Sequence, residues 1–302
     1  MRDVAGHTAF ITGGGSGLGL AMARALGEAG ARVILADIDQ DRLQAARSEI
    51  EASGAEALAL RLDVTDEASW ADAKRQAAAF GPVRILCSNA GVGGGAGAFE
   101  TYDPEVWRWN YAVNAHAHLY ACRAFLGEMK ASGEPGHLVV TASMVGIVPP
   151  PVSVAYISSK FAAVGIALAL RNELAGTQVG ISMLCPGMAA TRIVETTREL
   201  RPGGAETGAA AGTSQAMGSV LASGMSPDRI GARVLKAICE DAFYVFTHPE
   251  WKRLVEPQVA EMMAAFGDSA DPAYPGDDID ALVAANGARA FAAATARRDR
   301  DA

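Results

Sequence analysis

HTAFITGGGSGLG, residues 7–19, runs an apolar, strand-like segment into a glycine-rich turn and then into helical sequence over 18–30. Backbone amides left open at such a turn, with the positive end of the helix dipole behind them, make a site for a pyrophosphate, provided no side chain blocks the approach. The alternation repeats down the chain. RVILAD leads to helical sequence over 40–53, ALALRLDV to 66–79, RILCSNAG to about 104–132 and HLVVTAS to about 154–175, and VGISMLCPG ends the series. Strands separated by helices pair in parallel, and strands this continuously apolar are buried on both faces. The expected fold is α/β, a doubly wound parallel sheet in three α/β/α layers, forming a single domain over 1–302 with no internal repeat.

Composition narrows the partners. Half of the 302 residues are apolar, ample for a core, and the formal charge is −8 with no lysine/arginine block before the extreme C-terminus. That balance argues against nucleic acid or an anionic membrane and for a small molecule. Cys87, Cys122, Cys185 and Cys239 show no C-x-x-C spacing and no nearby histidine pattern, so neither a metal site nor a disulfide framework is expected, and reduced thiols in the cytoplasm are. The first strand starts within seven residues without a charged-then-apolar leader, and no 18-residue apolar run stands out, so export and membrane spanning are not expected.

Two further features carry chemistry. Asp37 ends RVILAD about twenty residues beyond the glycine turn, where a carboxylate can accept hydrogen bonds from both adenosine ribose hydroxyls and would repel a 2′-phosphate. The reading favours NAD over NADP, with Arg42 the residue able to soften the preference and Asp39 the better helix cap. Tyr156 and Lys160, in VSVAYISSK, stand four apart on helical sequence and so share a face. A cation beside a phenol of ordinary pKa roughly 10 stabilises its anion and suits it to proton exchange. Alone, the pair reads more readily as a surface tyrosine and an ordinary solvated lysine.

Taken together these motifs resemble the short-chain dehydrogenase/reductase family, in its compact Rossmann-type form with a C-terminal extension, over about residues 6–250. The glycine pattern T-G-x-x-x-G-x-G at 12–19 matches in full, Asp63-Val64 falls at the adenine position, and Asn89-Ala90-Gly91 matches the N-A-G turn. Asn114, Ser143, Tyr156 and Lys160 match the catalytic four; Pro186-Gly187 and Thr191 match P-G-x-x-x-T around the nicotinamide. Ser88 and Ala117 replace an asparagine and a glycine common in the family.

The resemblance implies a cofactor-binding set of Gly13, Ser16, Gly17, Leu18, Gly19, Asp37, Ile38, Asp63, Val64, Asn89, Ala90, Gly91, Tyr156, Lys160, Pro186, Gly187, Met188 and Thr191. It implies Tyr156 as general acid/base, Lys160 lowering its pKa and holding the nicotinamide ribose, Ser143 orienting the substrate oxygen, and Asn114 holding a relay water. Asn89 is expected to be mainly structural, and Asn114 and Ser143 also have plain readings as a helix kink and a strand-end cap.

The substrate end is less defined. Met144, Val145, Met188 and Ile193, with Pro149 and Val152, are expected to form an apolar pocket wall. The Gly/Ala/Thr-rich segment 192–225 reads as a surface insert or a substrate lid, with Arg198 and Arg201 on it. Ser226-Pro227 opens a helix to about Glu240, AFYVFT is a last strand, helical sequence covers about 251–266, and a helical extension follows over 267–302. His116 and His118, two apart, point to different faces and read as packing or surface groups, and Trp107, Trp109 and Tyr111 read as core and interface rather than a substrate cage.

By resemblance in the C-terminal third, the chain is similar to C-alpha dehydrogenases that oxidise benzylic alcohols of lignin aryl ethers. A general ketone or hydroxysteroid-type reductase and a catalytically idle dinucleotide sensor are the alternatives, the intact Ser143, Tyr156 and Lys160 speaking against the last. The long helices imply a homodimer or homotetramer.

Overall fold

Seven parallel strands stand in the order β3-β2-β1-β4-β5-β6-β7 in a computed structural model that describes residues 1–150, 153–204, 206, 208–267, 273 and 276–285. They are β1 (Thr8–Thr12), β2 (Arg32–Asp37), β3 (Ala57–Arg61), β4 (Val83–Ser88), β5 (Gly136–Thr141), β6 (Val179–Cys185) and β7 (Tyr244–Phe246). The helices α1 (Gly17–Glu28), α2 (Gln40–Ala52) and α9 (Pro227–Glu240) cover one face of the sheet; α3 (Glu67–Phe80), α4 (Pro104–Tyr111), α5 (Ala117–Ala131) and α6 (Val154–Glu173) belong to the other. The expected doubly wound sheet is therefore present.

Because side chains alternate along a strand, neighbouring residues feed different cores. Phe10 packs with Trp70 and Phe125 on the α3/α5 side, its ring centroid 4.7 Å from that of Phe125, while Ile11 joins Met22, Leu43 and Ile230 on the other. Asp39 caps α2 by accepting the amides of Asp41 and Arg42 at 3.1 and 3.0 Å, and Asp66 caps α3 in the same way. This leaves Asp37 free of capping duty, as the sequence suggests. Ser226 precedes Pro227 at the start of α9 as expected, but its hydroxyl makes no capping bond.

Three expectations are corrected. The long helix over 104–132 is broken by a π-turn at Ala112–His116, which widens the backbone around Asn114. The segment 192–225, read as a surface insert or lid with little periodicity, holds two helices, α7 (Ile193–Leu200) and α8 (Gly208–Ala222), the latter rich in glycine and alanine. Finally, α6 is long and apolar enough to cross a membrane by length and composition, with Ala155, Lys160, Ala163 and Ala167 buried in the fold and 33% of its apolar window buried. The C-terminal region contributes α10 (Lys252–Gly267) and α11 (Ile279–Ala285), with 286–302 of the expected extension outside the described residues.

Strand order reverses between β1 and β4, the place where open α/β sheets form a crevice at their carboxyl ends. One side chain ties that place together. Asn89 donates from Nδ2 to the Thr12 carbonyl at 2.9 Å and accepts from the Thr141 hydroxyl at 3.1 Å, joining the ends of β1, β4 and β5. The Thr12 hydroxyl in turn accepts the amides of Asn89 and Ala90 at 2.8 and 2.9 Å. Asn89→Ala strands both partners and is expected to lower folding stability by about 1–3 kcal/mol in denaturant titration, with the fold retained; unchanged stability would remove Asn89 from this role.

Candidate active site

The crevice opens into a cleft of about 1590 Å³ that runs from the glycine turn to α7 and α8. Of the expected cofactor set, Gly13, Ser16, Gly17, Leu18, Asp37, Ile38, Asp63, Val64, Asn89, Ala90, Gly91, Tyr156, Lys160, Pro186, Gly187, Met188 and Thr191 line it, as do Met144, Val145 and Ile193 of the substrate wall. Gly19 does not. It is buried beneath the turn, where a Cβ would lie 2.0 Å from the Gly13 carbonyl oxygen, so a side chain there would push the turn open. Pro149 is replaced on the wall by Pro150, and Val152 lies outside the described residues.

At the turn, Gly13 and Gly17 hold positive φ angles of 66° and 52°, which leaves their amides free of side-chain cover at the start of α1. Asp37 Oδ2 accepts the Gly15 amide at 3.0 Å and Oδ1 accepts the Asp39 amide at 3.2 Å. Burial raises the Asp37 pKa and the amides of Asp39, Gly15 and Ile38 pull it back. Arg42 is committed to carboxylates, with Nε 3.1 Å from Asp39 and its other end paired with Glu199 of α7. The Asp63 carboxylate turns inward onto the Thr65 amide and hydroxyl at 2.9 and 2.7 Å. A cradle of exposed amides at a helix start, with a carboxylate at the end of β2, fits the pyrophosphate and ribose of a dinucleotide.

Further along, Tyr156 and Lys160 face each other on α6, the ammonium nitrogen 5.9 Å from the ring centroid. Lys160 is only 3 % exposed and donates to the Thr141 carbonyl at 3.0 Å. Desolvation lowers its pKa to about 8. Tyr156 departs from the expectation that the lysine lowers its pKa: burial pushes the phenol up, and the opposing pull comes from the Ser143 hydroxyl. Ser143 Oγ also lies 3.4 Å from the Pro186 carbonyl and 3.3 Å from the Val145 amide.

Asn114 is fully buried and does not line the cleft. Its Oδ1 accepts the Val92 amide at 2.9 Å, and its Nδ2 reaches the Val92 carbonyl, Asn110 Oδ1 and Ser159 Oγ at 2.9–3.0 Å. The side chain thus bolts the π-turn to α6 and to the segment after β4. His116 is exposed and His118 buried, as their spacing suggests; His118 pairs with Ser88 at 2.7 Å, and burial holds it neutral, with a pKa near about 3. Trp109 borders the cleft while also packing against the core, and Trp107 and Tyr111 stack on each other at 5.2 Å.

Several cleft residues escaped the sequence reading. Gly93–Gly97 lines the cleft opposite α7 and α8, and its amides hold the segment above: Gly93 donates to Thr197 Oγ1 at 2.6 Å and Ala96 to Glu206 at 2.9 Å. Five glycines in the seven residues 91–97 were the available signal. The segment is pinched at its base, where the Met225 amide donates to the Met188 carbonyl at 2.9 Å and the Ala190 amide to the Met225 carbonyl at 3.0 Å. His248 Nδ1 accepts the Gly187 amide at 3.0 Å beside Trp251, contacts that no local pattern announces.

Comparison with known proteins agrees with this geometry. The family model for short chain dehydrogenase matches residues 7–202. A 1-deoxy-11-beta-hydroxypentalenate dehydrogenase of Streptomyces exfoliatus is 34% identical over 81% of this chain and 84% of its own length. A C alpha-dehydrogenase of a Sphingobium species is 27% identical over 94% of each. Among solved structures, a short chain dehydrogenase/reductase of Burkholderia phymatum in complex with NAD covers 92% of this chain and 100% of its own, at 31% identity and a TM-score of 0.82. A metagenomic short-chain oxidoreductase in complex with NADP covers 81% of this chain and 96% of its own, at 30% identity and a TM-score of 0.64.

The buried lysine has a measurable consequence. Between about 8 and its ordinary 10.5 the unfolded chain holds a proton that the folded chain has released, so Lys160 makes wild-type stability rise with pH across that window. Denaturant titrations at both ends of it should show the wild type gaining on Lys160→Met by roughly 3 kcal/mol as pH rises. A constant difference would contradict the lowered pKa.

Proposed function

The chain belongs to the short-chain dehydrogenase family, and on that premise we propose that it is an NAD-dependent oxidoreductase that interconverts a secondary alcohol and a ketone. The observation that carries this reading is the meeting of Ser143, Tyr156 and Lys160 in the same cleft as the glycine turn and Asp37. The bound nicotinamide supplies the redox chemistry, exchanging a hydride with the carbon that bears the oxygen.

The chain's own groups do the rest. Gly13, Ser16, Gly17 and Leu18 hold the pyrophosphate through amides at the start of α1. Asp37 takes the adenosine ribose hydroxyls, and its carboxylate disfavours a 2′-phosphate. Because Arg42 already faces Asp39 and Glu199, it offers no free charge to such a phosphate, which supports NAD over NADP. Lys160 holds the nicotinamide ribose, and Ser143 orients the substrate oxygen. Tyr156 moves the proton at its phenol oxygen, giving it to the ketone in reduction and taking it from the alcohol in oxidation. Asn114 acts from behind, keeping α6 and the 91–93 backbone in register.

For substrate we propose a bulky benzylic alcohol. The cleft exceeds the roughly 300–1,000 Å³ of an ordinary ligand site, leaving room beside a dinucleotide. Met144, Ile157, Met188, Ile193, Met217 and Trp109 make its outer part apolar and aromatic, and the similarity to a C alpha-dehydrogenase spans nearly the whole chain. The segment carrying α7 and α8 serves as lid. We also propose assembly as a homodimer or homotetramer through α5 and α6, where Leu119, Phe161 and Leu168 are exposed, and a cytoplasmic location.

Three measurements test the reading. Tyr156→Phe should cut turnover at least about a thousandfold while calorimetric NAD binding persists; near-normal turnover would end the proposed mechanism. Since burial raises the phenol pKa, most of it is protonated at neutral pH, so alcohol oxidation should accelerate and ketone reduction slow as pH rises. Asp37→Ser should weaken NAD about tenfold and narrow the preference over NADP, and an unaltered ratio would take cofactor choice away from Asp37.

A further inference from the structure

One peptide unit in the wall of the cleft is gripped from both sides. The Pro186 carbonyl accepts the Met144 amide at 2.9 Å and the Ser143 hydroxyl at 3.4 Å. The Gly187 amide of the same unit donates to His248 Nδ1 at 3.0 Å. In a trans peptide the carbonyl and the N–H point opposite ways, so Ser143 and His248 face each other across a single planar group.

His248 is itself firmly held. It is buried, it follows β7, and the carbonyl of the preceding Thr247 accepts from Arg233 of α9 at 2.6 Å. The Trp251 amide donates to the His248 carbonyl at 3.2 Å, and the Trp251 side chain lines the cleft. The ring presses on the turn. A Cβ on Gly187 would lie 2.7 Å from His248 Cγ and 3.0 Å from Trp251 Nε1, so only glycine lets the imidazole come this close to the backbone.

Chemistry fixes the state of the ring. An amide N–H can only donate, so Nδ1 must present its lone pair and the ring proton sits on Nε2. The Thr247 hydroxyl, 2.7 Å from the same nitrogen, then donates to it as well, and its oxygen stands 3.4 Å from the Gly187 amide. Hydrogen bonds in a chain polarise one another in a low-dielectric interior, so a peptide whose N–H is bonded accepts more strongly at its carbonyl. The imidazole thus acts on the very carbonyl that the Ser143 hydroxyl uses.

We propose that His248 is a positioning residue for the reaction: through the Pro186–Gly187 peptide it sets the plane and the acceptor strength of the carbonyl that orients Ser143, and so the direction in which that hydroxyl meets the substrate oxygen. This rests on the reading of Ser143 as the group that orients the substrate oxygen, and it adds a residue outside 7–202, the stretch that carries the family likeness. His248 itself does not line the cleft, so it reaches the substrate only through that peptide.

The test compares three variants that differ in where they can accept a hydrogen bond. His248→Asn places an amide oxygen near the position of Nδ1, His248→Gln carries its oxygen one bond further, and His248→Leu fills the space and accepts nothing. Hydrogen exchange at the Gly187 amide, followed in the protein without ligand, should speed up at least about tenfold in the Leu and Gln variants and return close to the wild-type rate in His248→Asn, the mark of one hydrogen bond on local opening. With NAD and the benzylic alcohol that the wild type turns over fastest, kcat should fall at least about tenfold in the same two variants and recover in His248→Asn, while the alcohol KM moves less than about threefold. If His248→Leu fails to fold, the Asn and Gln variants carry the comparison. Unchanged exchange or wild-type kcat in His248→Leu, a loss confined to KM, or rescue by Gln as complete as by Asn would each overturn the positioning role. A wild type that binds NAD yet oxidises no alcohol would instead sink the parent reading, and the exchange rates would still judge the grip of His248 on the turn.

Discussion

Everything at the reacting end hangs from a chain of hydrogen bonds that begins in the sheet. Thr12 at the end of β1 holds Asn89 after β4, Asn89 holds the Thr141 hydroxyl at the end of β5, and the Thr141 carbonyl holds the Lys160 ammonium on α6. A parallel sheet leaves its carboxyl ends open where strand order reverses, and unpaired backbone groups there would carry a desolvation cost. Here side chains satisfy them, and in doing so set the distance from the glycine turn to the lysine. The cleft is the gap these bonds hold open.

Burial then gives each titratable group its character. The sheet and α6 enclose Lys160 so fully that its pKa falls to about 8, and the same enclosure keeps the Tyr156 phenol protonated. Neither group is poised by the other alone. Asn114 contributes by geometry: the π-turn widens the helix at its position, and its amide spans Val92, Asn110 and Ser159 at once. Over the cleft the segment carrying α7 and α8 is held by lighter contacts. Its base is pinned by backbone bonds at Met188, Ala190 and Met225, whereas its upper surface rests on the Thr197 and Glu206 contacts and on the half-exposed Arg42–Glu199 pair. Exposed ion pairs of that kind contribute little, so the segment is held more firmly at its base than along its upper surface.

What the sequence disclosed follows the range of the interactions involved. The strands, the glycine turn, the Asp39 cap and the Tyr156–Lys160 spacing are local, written in periodicity and in fixed offsets, and they are where the structure puts them. Helix α8 was missed because its Gly/Ala-rich sequence has no apolar stripe of its own to read. Glu206 on Ala96 and His248 on Gly187 join residues 110 and 61 apart in sequence, and no local pattern encodes such meetings. The Tyr156 pKa went the other way for the same reason, since spacing reveals the neighbouring cation but not the burial that outweighs it.

The most direct test of the account is to mix the purified protein with NAD, and separately with NADP, and a panel of bulky benzylic secondary alcohols while following the near-ultraviolet absorbance of reduced nicotinamide. The account predicts that absorbance grows with NAD, much less with NADP, and only with alcohols that can become ketones. No reduced cofactor from any alcohol, in protein that binds NAD by calorimetry, would contradict it.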